Sequence, residues 1–100
     1  MDPDALVPAV QRLATRGPVE RLLGTLEELQ VPLGHVRDRL GIPGMGAAVA
    51  ENFRDKARMK RVLRARGLPC AQHGLARTGN EATTFAAAVG YPIIVKPQAG

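Results

Sequence analysis

Eleven glycines and eight prolines are spread so evenly along these 100 residues that only short elements fit between them. Gly costs backbone entropy inside regular structure and Pro lacks an N–H, so together they punctuate the chain. Residues 5–14 read as a helical stretch interrupted by Pro8. After Gly17-Pro18, the spacing of Val19, Leu22, Leu23, Leu26 and Leu29 predicts an amphipathic helix to about Gln30, ended by Pro32. Leu33, Val36 and Leu40 predict a short helix stopped by Gly41 and Pro43, with 41–46 as a loop.

Val49, Phe53 and Ala57, followed by Met59, Val62 and Leu63, carry an apolar stripe to Gly67 and Pro69. A break near Arg54-Asp55 is expected, with Asp55 capping the second helix; a continuous helix is the alternative. Residues 70–77 read as a strand. Thr78-Gly79-Asn80-Glu81 fits a capping box, and Ala82, Phe85, Ala86 and Val89 form the apolar face of a helix closed by Gly90. The β-branched run in Tyr91-Pro92-Ile93-Ile94-Val95-Lys96-Pro97 reads as a strand buried on both faces. The expected fold class is therefore α/β (α+β), a helical lead-in followed by strand, helix and strand. Two strands make a poor sheet, so the chain reads as truncated relative to its fold.

Composition places the chain among soluble globular proteins, at 45% hydrophobic and 23% charged. Cys70 has no second Cys to pair with, and the first residues are acidic where a signal peptide would be basic. No apolar stretch nears the roughly 18 residues of a membrane span. These features lead to the expectation of a cytoplasmic protein. The net charge of +5 is concentrated: residues 54–66 hold seven cations against Asp55 alone, and everything else sums to −1.

Two lysines stand out. If a helix begins at Asp55, Arg54, Lys56 and Arg58 crowd its positive end, which is compensated by an anion shared between helix N-terminus and Lys56. The same pattern fits a solvated basic face. Lys96, closing an apolar strand beside Pro97, is placed to meet phosphate as a point charge or simply to reach solvent. Gly44-Met45-Gly46 has no preceding strand and no third Gly, so it is no dinucleotide fingerprint. His35 and His73 lack metal-ligand spacing, there is no Walker A pattern, and a Ser nucleophile is excluded because the chain has no Ser. No catalytic residue and no metal ligand is assigned.

The series Phe53-Arg54-Asp55-Lys56, Met59-Lys60, Arg66-Gly67-Leu68-Pro69, Asn80-Glu81-Ala82, Phe85-Ala86 and Val89-Gly90-Tyr91-Pro92-Ile93-Ile94-Val95-Lys96-Pro97 resembles the front of an ATP-grasp domain. That is the nucleotide-binding fold of carboxylate-amine ligases, biotin carboxylases and carbamoyl-phosphate synthases. The resemblance implies a lead-in over 1–46 and the N-terminal part of the ATP-grasp domain over 47–100, cut before its glycine-rich lid, of which Ala99-Gly100 remains. It implies that Lys56 and Lys96 contact the phosphates of ATP. It also implies that the intact protein uses magnesium, bound by carboxylates outside this chain, to activate a small-molecule carboxylate as an acyl phosphate for attack by an amine. As a fragment, the chain is expected to be inactive. Other classes remain open: a basic nucleic-acid-binding module using Arg58, Arg61 and Arg64 on one helix face, or a helical interaction domain built from residues 5–46.

Overall fold

The computed structural model describes residues 1–99. Its contacts divide the chain into two units, Met1–Arg54 and Asp55 onward.

The first unit holds α1 (Pro3–Ala14), α2 (Gln30–Leu40) and α3 (Ala47–Arg54), with a single 3-10 turn over Glu27–Leu29. Asp2 caps α1 by accepting the Asp4 N–H at 2.9 Å, and Pro3 takes the first helical position, where no N–H is needed. Pro8 sits inside α1 without ending it. The core is Val10, Val36 and Ile42, with Leu6, Val7, Val19, Leu22 and Leu40 packed around them. Val36 is fully buried, which stabilises the fold by about 1.5–3 kcal/mol.

The helix expected over residues 19–30 does not form. Gly24 interrupts it, and side chains from α2 claim the carbonyls that a helix would have used. Arg37 Nε and Nη2 both donate to the Leu22 carbonyl, at 2.9 and 2.6 Å, and Gln30 Nε2 donates to the carbonyls of Gly24 and Leu26, both at 2.9 Å. Only part of the expected stripe is covered, since Leu23 and Leu26 are exposed while Val19 and Leu22 meet the core. Nor does Pro32 stop a helix. It lies in the first turn of α2, where backbone N–H groups have no intrahelical acceptor.

Gly41, at φ 64°, ends α2 as expected. Asp38 Oδ2 then accepts the Ala47 N–H at 2.9 Å and supports the start of α3 from the neighbouring helix. The buried residues of α3 are Ala47 and Ala50, whereas Val49 and Phe53 face outward.

The second unit contains α4 (Lys56–Ala65) and α5 (Gly79–Val89). The expected break is present: Asp55 is extended (φ −93°, ψ 109°) and its Oδ1 accepts the Arg58 N–H at 3.0 Å. Gly67, in the left-handed region at φ 71°, closes α4. Its N–H reaches the Arg64 carbonyl at 3.0 Å and the Leu68 N–H reaches that of Leu63 at 2.9 Å, the paired bonds of a Schellman ending. At α5, Thr78 Oγ1 accepts the Glu81 N–H at 3.2 Å, while the Glu81 carboxylate turns to the Arg77 N–H at 2.6 Å.

The α/β expectation is overturned. Among the described residues there is no strand and no sheet, only an isolated antiparallel bridge between Asp55 and Ala99. Neither 70–77 nor 91–97 finds a ladder partner, and Pro92 and Pro97 lack the N–H that a ladder needs. The run read as buried on both faces is open, with Ile94 and Val95 each 81% exposed. β-branched residues favour extended backbone, but a strand exists only by pairing, and 91–97 pairs with no other segment among the described residues.

Candidate functional site

The site is built on the first turn of α4. Helices leave their first N–H groups without internal partners, and here these donors are engaged within the chain. Asp55 Oδ1 takes the Arg58 N–H, and the Gln98 carbonyl takes the Lys56 N–H at 3.0 Å. The second carboxylate oxygen, Asp55 Oδ2, accepts from Gln98 Nε2 at 2.7 Å. The Arg58 N–H above all, with help from the Gln98 amide, holds the Asp55 carboxyl below the usual carboxylate range, against a desolvation effect that raises it.

The helix amides expected to share an anion with Lys56 are occupied by Asp55 and Gln98. Arg54, expected to crowd the same end, closes α3 instead and faces Glu27 at 3.9 Å. Any anion entering here would meet side chains rather than helix amides.

Lys56 and Lys96, 40 residues apart in sequence, line one open cleft of about 1010 Å3. Lys56 is half-buried and Lys96 exposed. Lys60, Arg77 and His73 join them, and Glu81 is the single acid among the lining residues. Ala82, Phe85 and Ile93 supply apolar wall. Phe85 lies tight against Gly74, where a Cβ would come within 2.8 Å of the ring. The lining thus combines four cations with an apolar surface, a donor set suited to a polyanion carrying an apolar group.

His73 Nδ1 is buried without a hydrogen-bond partner among the described residues. Burial first, then the positive charges of Arg64, Lys60 and Arg61, push its pKa below the ordinary histidine value. Nearby, Cys70 Sγ accepts from Arg64 Nε at 3.3 Å, and Arg64 Nη2 donates to the Ala71 carbonyl at 3.2 Å. Arg64 thus helps to hold the chain after α4. Lys60 falls within the Met59-Lys60 part of the resemblance without being singled out as a site residue, and His73 carries no sequence signal beyond its ring type. Gln98 carries none, since its partner lies 43 residues away.

Among the described residues no group of three or more His, Cys, Asp or Glu is arranged to hold a metal ion, and Glu81 alone does not fit a magnesium site. No helix among them is long and apolar enough to cross a membrane. The glycine-rich lid is expected to begin at Ala99-Gly100, and Gly100 lies outside the described residues.

No protein-family model matches the chain. Over 72 residues, 68% of its length, it is 36% identical to the carbamoyl phosphate synthase large chain of Mycobacterium sp. (strain JLS), covering 6% of that protein. Two similar relatives have named activities, a synthase and a ligase. The second is the L-arginine-specific L-amino acid ligase of Bacillus subtilis, 31% identical over 84% of this chain and 20% of that protein. An uncharacterized protein, y4rH of Sinorhizobium fredii, is 28% identical over 97% of this chain and 20% of its own length. The chain thus spans 6% to 20% of the relatives it matches.

Proposed function

We propose that this chain is part of an ATP-grasp ligase and contributes to it a phosphate-binding wall, with Lys56 and Lys96 as contacts to the phosphates of ATP. The observation that carries this reading is that the two lysines, distant in sequence, line the same cation-rich cleft. The similarity to a carbamoyl phosphate synthase and an amino acid ligase supports it. ATP, when bound, supplies the phosphoryl group that turns a small-molecule carboxylate into an acyl phosphate open to attack by an amine. Lys56 and Lys96 bind and orient the phosphates, and their charge offsets negative charge as it moves during transfer. Ala82, Phe85 and Ile93 shield the less polar part of the nucleotide from water. Magnesium has no fitting donor set among the described residues.

The test is a titration of the 100-residue chain with ATP, followed by backbone amide shifts, with adenosine as the phosphate-free control. ATP is expected to shift amides around Lys56 and Lys96, and Lys56→Ala and Lys96→Ala are each expected to weaken binding about tenfold or more, the worth of a charged hydrogen bond. Shifts that avoid both lysines, or equal shifts with adenosine, would overturn the assignment.

A further inference from the structure

We infer that Asp55 and Gln98 form a latch that sets the spacing between the two phosphate contacts, making them positioning residues for the nucleotide; this rests on the reading of Lys56 and Lys96 given above.

Lys96 lies in a segment that no sheet holds. Ile94 and Val95 beside it are each 81% exposed, and no backbone ladder fixes their register. Two residues further on, the same segment is fastened to the start of α4 at two points. Gln98 Nε2 donates to Asp55 Oδ2 at 2.7 Å, and the Gln98 carbonyl accepts the Lys56 N–H at 3.0 Å, a bond that belongs to the antiparallel bridge between Asp55 and Ala99. Two residues of extended chain span about 6.6 Å, so the latch holds the Lys96 backbone within a short reach of the first residue of α4.

Asp55 suits this task because its two oxygens do separate things. Oδ1 fixes the start of α4 through the Arg58 N–H, and Oδ2 fixes Gln98. The carboxylate thereby ties the direction of the Lys56 helix to the position of the Lys96 segment. Without the latch, Lys96 would keep its charge and lose its place, and each ATP bound would have to order the segment itself.

The experiment measures ATP affinity in four chains: the parent, Asp55→Asn, Gln98→Glu and the double substitution. Gln98→Glu sets two carboxylates against each other and is expected to weaken ATP binding by about tenfold or more. Asp55→Asn keeps an oxygen for the Arg58 N–H. Combined with Gln98→Glu it restores the latch with donor and acceptor exchanged and the parent's charge conserved. The double substitution is therefore expected to recover most of the lost affinity, and Gln98→Met, a fifth chain that removes the latch without adding charge, is expected to lose it as Gln98→Glu does; parent-like affinity in Gln98→Met would overturn the latch.

A second readout follows Lys56→Ala and Lys96→Ala singly and together. Their effects are expected to be coupled in the parent and additive in the Gln98→Glu background. If the lysine substitutions weaken ATP binding while Gln98→Glu leaves it unchanged, or if the double substitution fails to recover affinity, the latch is refuted and the phosphate assignment stands. If the lysine substitutions have no effect, both fall together.

Discussion

Replacing Gly34 with alanine sets two physical rules against each other. Gly34 lies within α2, and on helix propensity alone Gly34→Ala should stabilise the chain by about 1 kcal/mol. The packing of α2 against α3 says the opposite. A Cβ at position 34 would lie 2.6 Å from the Ala47 backbone nitrogen and 2.8 Å from both the Ala47 Cα and the Gly46 carbonyl carbon. None of these atoms can rotate aside, so reaching an ordinary contact of roughly 3.5 Å forces the two helices apart by about 1 Å. That movement pulls on the 2.9 Å bond between Asp38 and the Ala47 N–H, a helix cap worth about 1 kcal/mol. Overpacking the joint costs a further 1–3 kcal/mol or so. Less the propensity gain, the net expectation is a loss of about 1–3 kcal/mol. Urea unfolding followed by circular dichroism reads this as a lower midpoint at unchanged slope. A Gly34→Ala chain more stable than its parent would show that the two helices do not meet as closely as described.

Arg37→Met keeps the apolar stem and removes every donor to the Leu22 and Met45 carbonyls, so thermal unfolding should fall by an amount equivalent to about 2–4 kcal/mol; an unchanged melting temperature contradicts the clamp. His73, with its pKa lowered chiefly by burial, stays neutral in the folded chain where the unfolded chain takes up a proton. Its contribution is present above about pH 6.5 and declines as the pH falls toward the lower folded value, so His73→Gln should flatten stability measured across that window. Asp55 has the other sign of charge and also a lowered pKa. Its contribution is present above roughly pH 3.9 and is lost as the pH falls through its folded value, so parent and Asp55→Ala chains should differ at neutral pH and converge in acid. A gap that persists in strong acid would mean the carboxylate charge is not what holds the turn.

Local chemistry was legible in the sequence wherever it was self-contained. The break at Asp55, the stop at Gly41, the close at Gly67 and the Thr78 cap each depend on a few neighbouring residues, and each is present. Expectations failed where a distant group decided the outcome. Residues 19–26 have helical spacing, yet Arg37 and Gln30 hold their carbonyls from another element. Residues 91–97 have the composition of a strand, but pairing is a property of two segments and the second is missing among the described residues. The candidate site divides in the same way. Lys56 and Lys96 could be named from charge and resemblance, whereas the Asp55–Gln98 pair that joins their segments could not, because nothing local distinguishes Gln98 from any exposed amide.

The boundary between the two units falls immediately before Asp55, the residue that both starts α4 and grips Gln98. Dividing the chain for separate study therefore turns on one peptide bond. A downstream piece beginning at Lys56 would retain Lys56, Lys60, His73 and Lys96 and still lack the carboxylate that caps α4 and holds Gln98. Such a piece would look like a failed nucleotide binder with every cation intact. Cutting one residue earlier keeps that carboxylate with the helix it caps and the amide it holds.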